Sequence, residues 1–319
     1  MVSPLWRTSD ALAIVDRRSF LAGAAALGAA VVLNGPADQA AAGRATAVSR
    51  WVGSLEVVAL LDATGPFTLT PDRFAAFPEA GDRAWAAAER IDPGAFGDEG
   101  AWILNFRCFA VRRSNGRTLL VDTGIGPEGS PAMWAPLPGR LPDALADAGI
   151  TPTDIDTVVL THLHSDHFGW SVDAQGTPTF PGATYVVQQA EVADVAGGPI
   201  DDLVLTPLRR TGQLRTVDGQ VRLEATRRGD TVTVVPTPGH TVGHQSVLVE
   251  GRNDRVVVTG DVLVHAVQLA DPNVGYVFEA DEAVARTTRQ QLLAEARPGH
   301  GRPALLATSH LTRPFVSAQ

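Results

Sequence analysis

Short β-branched or aliphatic runs alternate with helical segments along residues 54–307, and this alternation predicts a mixed α/β fold. Two further observations agree. Several of the apolar runs lead directly into loops that carry His or Asp, as expected of buried strands with functional loops at their ends. The 319-residue chain is also long enough to bury one core of generous size.

The elements follow in order. Ser54–Asp62 alternates and then turns apolar, as a first strand. Pro66–Trp102 is richer in Pro, Gly, Phe and Trp, with a short helix expected near Asp82–Arg90. It reads equally as an arm over a site or as a surface elaboration. Asn105–Arg113 and Thr118–Asp122 flank Ser114-Asn115-Gly116, a hairpin turn signal. Ile125–Leu141 holds four prolines and Trp134 and reads as a loop, followed by a helix over Leu141–Ala148 that Gly149 stops. Val158–Leu160 and Thr184–Val187 read as strands, the second leading into a helix near Gln188–Ala196. Gly197–Arg215 reads as irregular. Further strands are expected at Val217–Leu223, Thr231–Val235, Gln245–Glu250 and Arg255–Thr259. Asp281–Ala296 is the clearest amphipathic helix, with Pro298-Gly299 as its stop.

The chemistry is concentrated at residues 162–167, His-Leu-His-Ser-Asp-His, which place three imidazoles and a carboxylate within six positions. Histidine is the commonest metal ligand among side chains, and zinc takes nitrogen and oxygen donors. On an extended segment His162, His164 and Asp166 share one side while His167 faces another, so the cluster can feed two neighbouring metals. A polar loop with Asp166 capping a helix would leave three crowded histidines unexplained. Only eight histidines occur in the chain, all between His162 and His310. Beyond the cluster, His240 follows Val232–Val235, Asp261 follows Val256–Val258 and His310 follows Ala304–Ala307.

Motif by motif, the sequence resembles the metallo-β-lactamase-fold hydrolase superfamily. Leu119-Leu120-Val121-Asp122-Thr123-Gly124 resembles its first motif and His162-x-His164-x-Asp166-His167 its second. Gly239-His240, Gly260-Asp261 and Ser309-His310 resemble the third, fourth and fifth, in the family's order. The full set is specific, whereas a lone Gly-His or Gly-Asp is more often a turn. The resemblance implies a four-layer αββα sandwich in a single domain, with two mixed sheets back to back and helices outside. It implies that one metal takes His162, His164 and His240, the other Asp166, His167 and His310, and that Asp261 bridges them around a shared hydroxide. Two divalent ions are expected, zinc first, with iron, cobalt and manganese compatible with the same donors. Asp122, Thr161, Thr241, His244 and His265 are expected around the ligands, Asp122 as an anchor beneath them, His244 as a brace of the third loop and His265 within reach of substrate.

Asp261 separates this chain from relatives that open β-lactams, which generally lack a bridging aspartate there. The Thr-Pro-Gly-His-Thr-x-Gly-His segment looks like that of N-acyl-homoserine lactonases, and Ala266–Pro272 looks like methyl-parathion-hydrolase relatives. The expectation is hydrolysis of a lactone or acyl ester by hydroxide attack, with Asp166 passing a proton to the leaving alkoxide. A phosphotriesterase, a thioesterase and a glyoxalase-II-like hydrolase are the enzymatic alternatives, and a non-catalytic metal-binding protein on the same fold is the alternative of another class. The tyrosine that polarises the carbonyl in many lactonases is missing near Asp261, where Val264 stands, and only Tyr185 and Tyr276 occur in the chain. Trp134, Phe168, Trp170 and Phe180 are candidates for an apolar substrate wall, and His300 for a surface turn.

Net charge is −9, which gives no basic field for nucleic acid, and the only cysteine, Cys108, excludes an intrachain disulfide. A small-molecule substrate is the expected partner, and a homodimer is compatible with the sequence. Asp16-Arg17-Arg18-Ser19-Phe20-Leu21 resembles a twin-arginine export signal, and the apolar Phe20–Leu33 that follows is short for a membrane span. The expected division is an export signal and linker over 1–47 and one hydrolase domain over 48–319. The mature chain is expected without a membrane span, in the periplasm, at the envelope or secreted.

Overall fold

The β-branched runs picked out above all fall in strands. The computed structural model describes residues 48–132, 134–135, 137–298 and 302–318. In chain order it contains β1 (Ser49–Val52), β2 (Leu55–Pro66), α1 (Arg73–Ala76), α2 (Asp82–Ile91), β3 (Ile103–Arg112) and β4 (Thr118–Val121). These are followed by α3 (Leu141–Asp147), β5 (Ile155–Val159), α4 (Ser165–Phe168), β6 (Thr184–Gln188), α5 (Gln189–Asp194) and α6 (Thr206–Arg210). The second half holds β7 (Leu214–Val217), β8 (Val221–Ala225), β9 (Thr231–Pro236), β10 (Gln245–Glu250) and β11 (Arg255–Val258). It closes with α7 (Ala266–Ala270), α8 (Glu282–Ala296), β12 (Leu305–Ala307) and β13 (Phe315–Ser317). The export-signal region 1–47, Gly299 and His300 lie outside the described residues.

Strands β1 to β7 form one sheet in sequence order, antiparallel through β4 and parallel from β4 to β7. The other sheet runs β13-β12-β11-β10-β9-β8, with β11 and β12 parallel and the remaining pairs antiparallel. Period-two alternation sends successive residues of one strand to opposite faces. In β3, Phe109 and Val111 therefore face the other sheet, while Cys108 and Ala110 face outward. In β10, Val247 and Val249 face the first sheet, and Leu248 faces outward.

Three apolar cores result, one for each contact between four layers. The middle core joins the sheets through Val57, Val121, Val159, Val232, Val256 and Val258. A second packs α3 and α6 on the first sheet through Leu141, Leu145, Val204, Leu205 and Leu208. The third packs α7, α8 and the 66–102 arm on the second sheet through Val267, Leu292, Trp85 and Trp102. The architecture is a mixed α/β sandwich of two sheets with helices outside.

Two segments depart from expectation. Residues 201–210 are not irregular but a π turn running into α6, burying Val204, Leu205 and Leu208. Pro207 sits in the first turn of α6, where a missing N–H is tolerated. The single strand expected at Val217–Leu223 is two, β7 and β8, in different sheets. Gly219, at φ +73°, turns the chain between them.

Candidate metal centre

β4, β5, β6 and β7 are parallel, and in the second sheet β9, β11 and β12 all run one way. Their C-terminal ends carry Asp122, the 161–167 loop, His240, Asp261 and His310. Asp122 is held in the left-handed region at φ +61°, one of two non-glycine residues so placed among those described. Backbone strain at a non-glycine residue persists only when its surroundings fix it. Here the carboxylate accepts the Thr161 N–H at 2.7 Å and the Thr161 hydroxyl at 2.9 Å, and it takes His167 Nδ1 at 2.8 Å.

This network sets the histidine tautomers. The Thr161 hydroxyl donates to Asp122, so it accepts from His162 Nδ1 at 3.1 Å, leaving the Nε2 lone pair of His162 facing inward. His167 Nδ1 donates to Asp122, and His310 Nδ1 donates to the Asn105 carbonyl at 2.7 Å. Each again turns Nε2 inward.

Two groups of ligand atoms converge. His162 Nε2 lies 3.0 Å from His164 Nδ1, and His240 Nε2 lies 2.9 Å from the same atom. Asp261 Oδ2 joins them, 3.2 Å from His240 Nε2 and 3.8 Å from His162 Nε2. On the other side Asp166 Oδ2 stands 3.5 Å from His167 Nε2 and 3.7 Å from His310 Nε2. Asp261 Oδ1 completes this second set, 3.3 Å from His167 Nε2 and 3.0 Å from His310 Nε2. One carboxylate thus presents one oxygen to each group. All seven expected ligands are brought together, grouped as His162, His164, His240 with Asp261, and as Asp166, His167 with His310.

The donor set fits divalent cations. Imidazole nitrogens about 3 Å apart are spaced as neighbouring ligands on a zinc ion bound at about 2.0–2.1 Å. His167 Nε2 and Asp261 Oδ1 are buried polar atoms without a hydrogen-bond partner, a costly condition that a cation would relieve. Burial pulls His162 and His240 well below the usual histidine range. Burial acts the same way on His167 and His310, but Asp261, Asp166 and, for His167, Asp122 outweigh it and raise both. Burial would raise Asp261, yet His310, His167 and His240 hold it well below the carboxylate range. Buried carboxylates that draw their histidines toward protonation mark a place suited to positive charge.

Of the surrounding residues, His244 links two loops. Its Nε2 accepts the Asp261 N–H at 3.0 Å and its Nδ1 bonds Thr237. His265 is a correction. Instead of reaching toward substrate it is fully buried among the rings of Phe77, Trp85, Phe96 and Trp102, at 5.3–5.4 Å between centroids. Its Nδ1 caps α7 by accepting the Val267 N–H. Phe168 and Phe180 are likewise committed to the core under the first sheet, and Trp170, half-buried against it, donates its indole N–H to Asp62 at 3.1 Å. Trp134 stands at the centre, its indole N–H donating to Ser165 at 3.1 Å.

Sequence reading missed four contributors. The Tyr276 ring stacks on His240 at 6.1 Å and 10°. Aromatic contacts continue from Tyr276 to Phe67 at 6.4 Å, to Trp134 at 5.5 Å, to Phe106 at 5.5 Å and to His310 at 5.9 Å, a wall spanning both groups of ligands. Arg107 donates to the carbonyls of Thr308 at 3.0 Å and Leu311 at 2.7 Å, shaping the loop of His310. Asp62 accepts the N–H groups of Ile125 and Leu141, and Glu191 bonds two ligand loops. None carries a motif, and only the apolar character of their neighbourhoods was visible.

Comparison with known proteins places this geometry. The chain is 33% identical to metallo-beta-lactamase domain-containing protein 1 of Mus musculus over 192 residues, covering 58% of this chain and 60% of that protein. It therefore spans about three fifths of that relative's length. Among solved structures, hydrolase AbOPH of the beta lactamase superfamily superposes with a TM-score of 0.69 at 23% identity, covering 86% of this chain and 93% of the other. AidC, described as a dizinc quorum-quenching lactonase and solved with the product N-hexanoyl-L-homoserine, gives 0.66 at 21% identity, covering 86% and 94%. At these identities the likeness is one of fold. The family model of the metallo-beta-lactamase superfamily matches residues 107–302, well over half of the chain, and the chain belongs to that superfamily.

Proposed function

We propose that the protein is a dinuclear metal-dependent hydrolase of an ester-like small molecule, a lactone or acyl ester. The observation that carries this reading is Asp261, whose two oxygens face separate histidine groups at 3.0–3.8 Å. His162, His164 and His240 would hold one ion and Asp166, His167 and His310 the other. Bound there, a pair of divalent ions would lower the pKa of a shared water and polarise the ester carbonyl.

The chain's own groups do the rest. Asp166, at the edge of the second group, is placed to take the proton given up by the attacking water and hand it to the departing alkoxide. Burial, with Asp261, Asp166 and Glu279 nearby, raises the Tyr276 phenol well above its usual range, so it stays a donor for a substrate oxygen. This gives a tyrosine to the role that Val264 leaves unfilled. Trp134, half-buried and backed by the core rings of Phe67 and Phe106, offers an apolar surface to an acyl or aryl group. The lactonase-like Thr237–His244 segment supports a lactone, and the aromatic wall favours an aryl phosphotriester as the second reading.

Metal analysis of purified protein, followed by parallel assays of acyl lactones, aryl esters, phosphotriesters and thioesters, tests this. We expect about two equivalents of metal. Asp261→Ala should lose metal and nearly all turnover. Turnover that persists after chelation, or in metal-free Asp261→Ala, would overturn the mechanism, and a phosphotriester as the sole good substrate would move the second reading to first.

A further inference from the structure

Glu191 lies in the first turn of α5, is 3% exposed, and carries no motif. Its Oε1 accepts the Leu163 N–H at 2.8 Å. Its Oε2 accepts the Thr241 hydroxyl at 2.7 Å and the Gly243 N–H at 3.0 Å. Leu163 stands between His162 and His164, and Thr241 follows His240. A single buried carboxylate therefore ties the loop after β5 to the loop after β9. These two loops carry all three nitrogens of one ligand group. None of its hydrogen bonds reaches Asp166, His167 or His310, which rely on Asp122, Arg107 and the Asn105 carbonyl.

Gly243 supplies an independent sign that this contact is built in. A Cβ there would overlap the backbone nitrogen and Cα of Glu191. The second glycine of the Pro-Gly-His-Thr-Val-Gly-His segment is thus the residue that lets the helix bring its carboxylate against the loop. From the other side, the Leu163 side chain is buried in the core under the first sheet, so its peptide is held both by packing and by Glu191.

We propose that Glu191 is a positioning residue that holds His162, His164 and His240 as one nitrogen group, and so sets the affinity of that half of the centre for a divalent cation. The assignment rests on the reading of the two groups as metal sites. Groups that orient metal ligands from behind typically change metal affinity by about 10–100-fold when removed. Glu191→Gln keeps size but turns an amide N–H toward either the Leu163 N–H or the Thr241 and Gly243 donors. Thr241→Val removes one of the three bonds while keeping side-chain shape.

The test is Zn2+ binding to the full chain by competition with a chromophoric chelator, with His310→Ala used to identify which binding step belongs to the nitrogen group. Absorption of the Co2+-loaded protein gives a second readout. For Glu191→Gln we expect that step to weaken about 10–100-fold while the other holds within about twofold. Thr241→Val should weaken the same step by less and carries the test if Glu191→Gln does not fold. The Co2+ bands should change in both variants. Val249→Ala, which loosens the middle core toward the end of β10 opposite His244, should lower the melting temperature and leave both steps intact. Unchanged binding in both variants, or equal weakening of both steps, would overturn the positioning role alone. A wild-type chain that takes up no Zn2+ would overturn the metal reading as well.

Discussion

Glu279 and Arg289 form an ion pair whose side chains are 1% and 0% exposed, and its loss should be felt in both stability and catalysis. Arg289 on α8 donates to Glu279 at 2.7 Å and to the carbonyls of Val262, Pro272 and Val274 at 2.9–3.4 Å. These bonds fasten the 272–279 strip, which carries Tyr276, and the residue after Asp261. Burial lifts the Glu279 carboxyl above its usual range even beside Arg289, so the pair is heavily desolvated. Glu279→Ala leaves a guanidinium buried without its counter-charge, which costs about 3–5 kcal/mol. At about 2–4 °C per kcal/mol for a domain of this size, the melting temperature should fall by about 6–20 °C. Arg289→Met should cost a similar amount, because it strands the carboxylate and three carbonyls. Combining Glu279→Ala with Arg289→Met removes both charges, so the double variant should lose about 1–3 kcal/mol less than the sum of the singles. Calorimetry at fixed Zn2+ concentration measures all four proteins. Additive losses, or a fall under about 2 °C for Glu279→Ala, would refute the reasoning.

Three other expectations follow, from His265, from Trp134 and from the Arg17-Arg18 pair. His265 is pulled down to about 3 by burial and by Arg73, below the value of about 6.5 it has unfolded. The folded state then binds fewer protons in that window, so the stabilisation is complete above pH 6.5 and is lost as pH falls. Between pH 6.5 and 5 the wild type should lose about 2 kcal/mol relative to His265→Asn, which keeps an acceptor for Val267, and parallel stability curves would contradict this. Trp134→Ala opens the wall between Phe67 and Phe106 and should raise KM for aryl or long-chain esters about tenfold, equal to about 1.4 kcal/mol, with short acyl esters little affected. Replacing Arg17 and Arg18 together by Lys should hold the protein in the cytoplasm, as read by fractionation, and unchanged export would remove the twin-arginine reading.

Strands were legible because those buried on both faces read as short continuous apolar runs, as Val247-Leu248-Val249 does in β10. The fold's weak points in sequence were places where a local signal had two meanings. Gly197–Arg215 reads as irregular, yet residues 201–210 are helical with Pro207 in the first turn of α6. Val217 and Val221 looked like one strand because a turn of only Asp218, Gly219 and Gln220 separates two sheets. The candidate ligands were legible for another reason. Each sits in a compact motif after an apolar run, so their types and spacing show without any long-range information. His265 misled because the same spacing that suggested reach toward the centre also suits a helix cap, and four aromatic rings decided for the cap.

Three of the residues that escaped notice, Asp62, Arg107 and Glu191, share a physical property. Each satisfies backbone groups far away in the chain, and backbone donors and acceptors are identical at every position, so no pattern betrays which ones need a partner. Glu191 meets the Leu163 N–H, 28 positions earlier, and the Gly243 N–H, 52 positions later. Arg107 meets Thr308 and Leu311 across 201 and 204 positions. A ligand histidine needs a loop of fixed shape, and such a loop leaves peptide groups unpaired that a buried charge from elsewhere must answer. The ligand motifs therefore imply that such charges exist without locating them. One trace of this requirement did stand in the sequence. The second glycine of the His240 segment had no reason of its own until the Glu191 backbone was found against it.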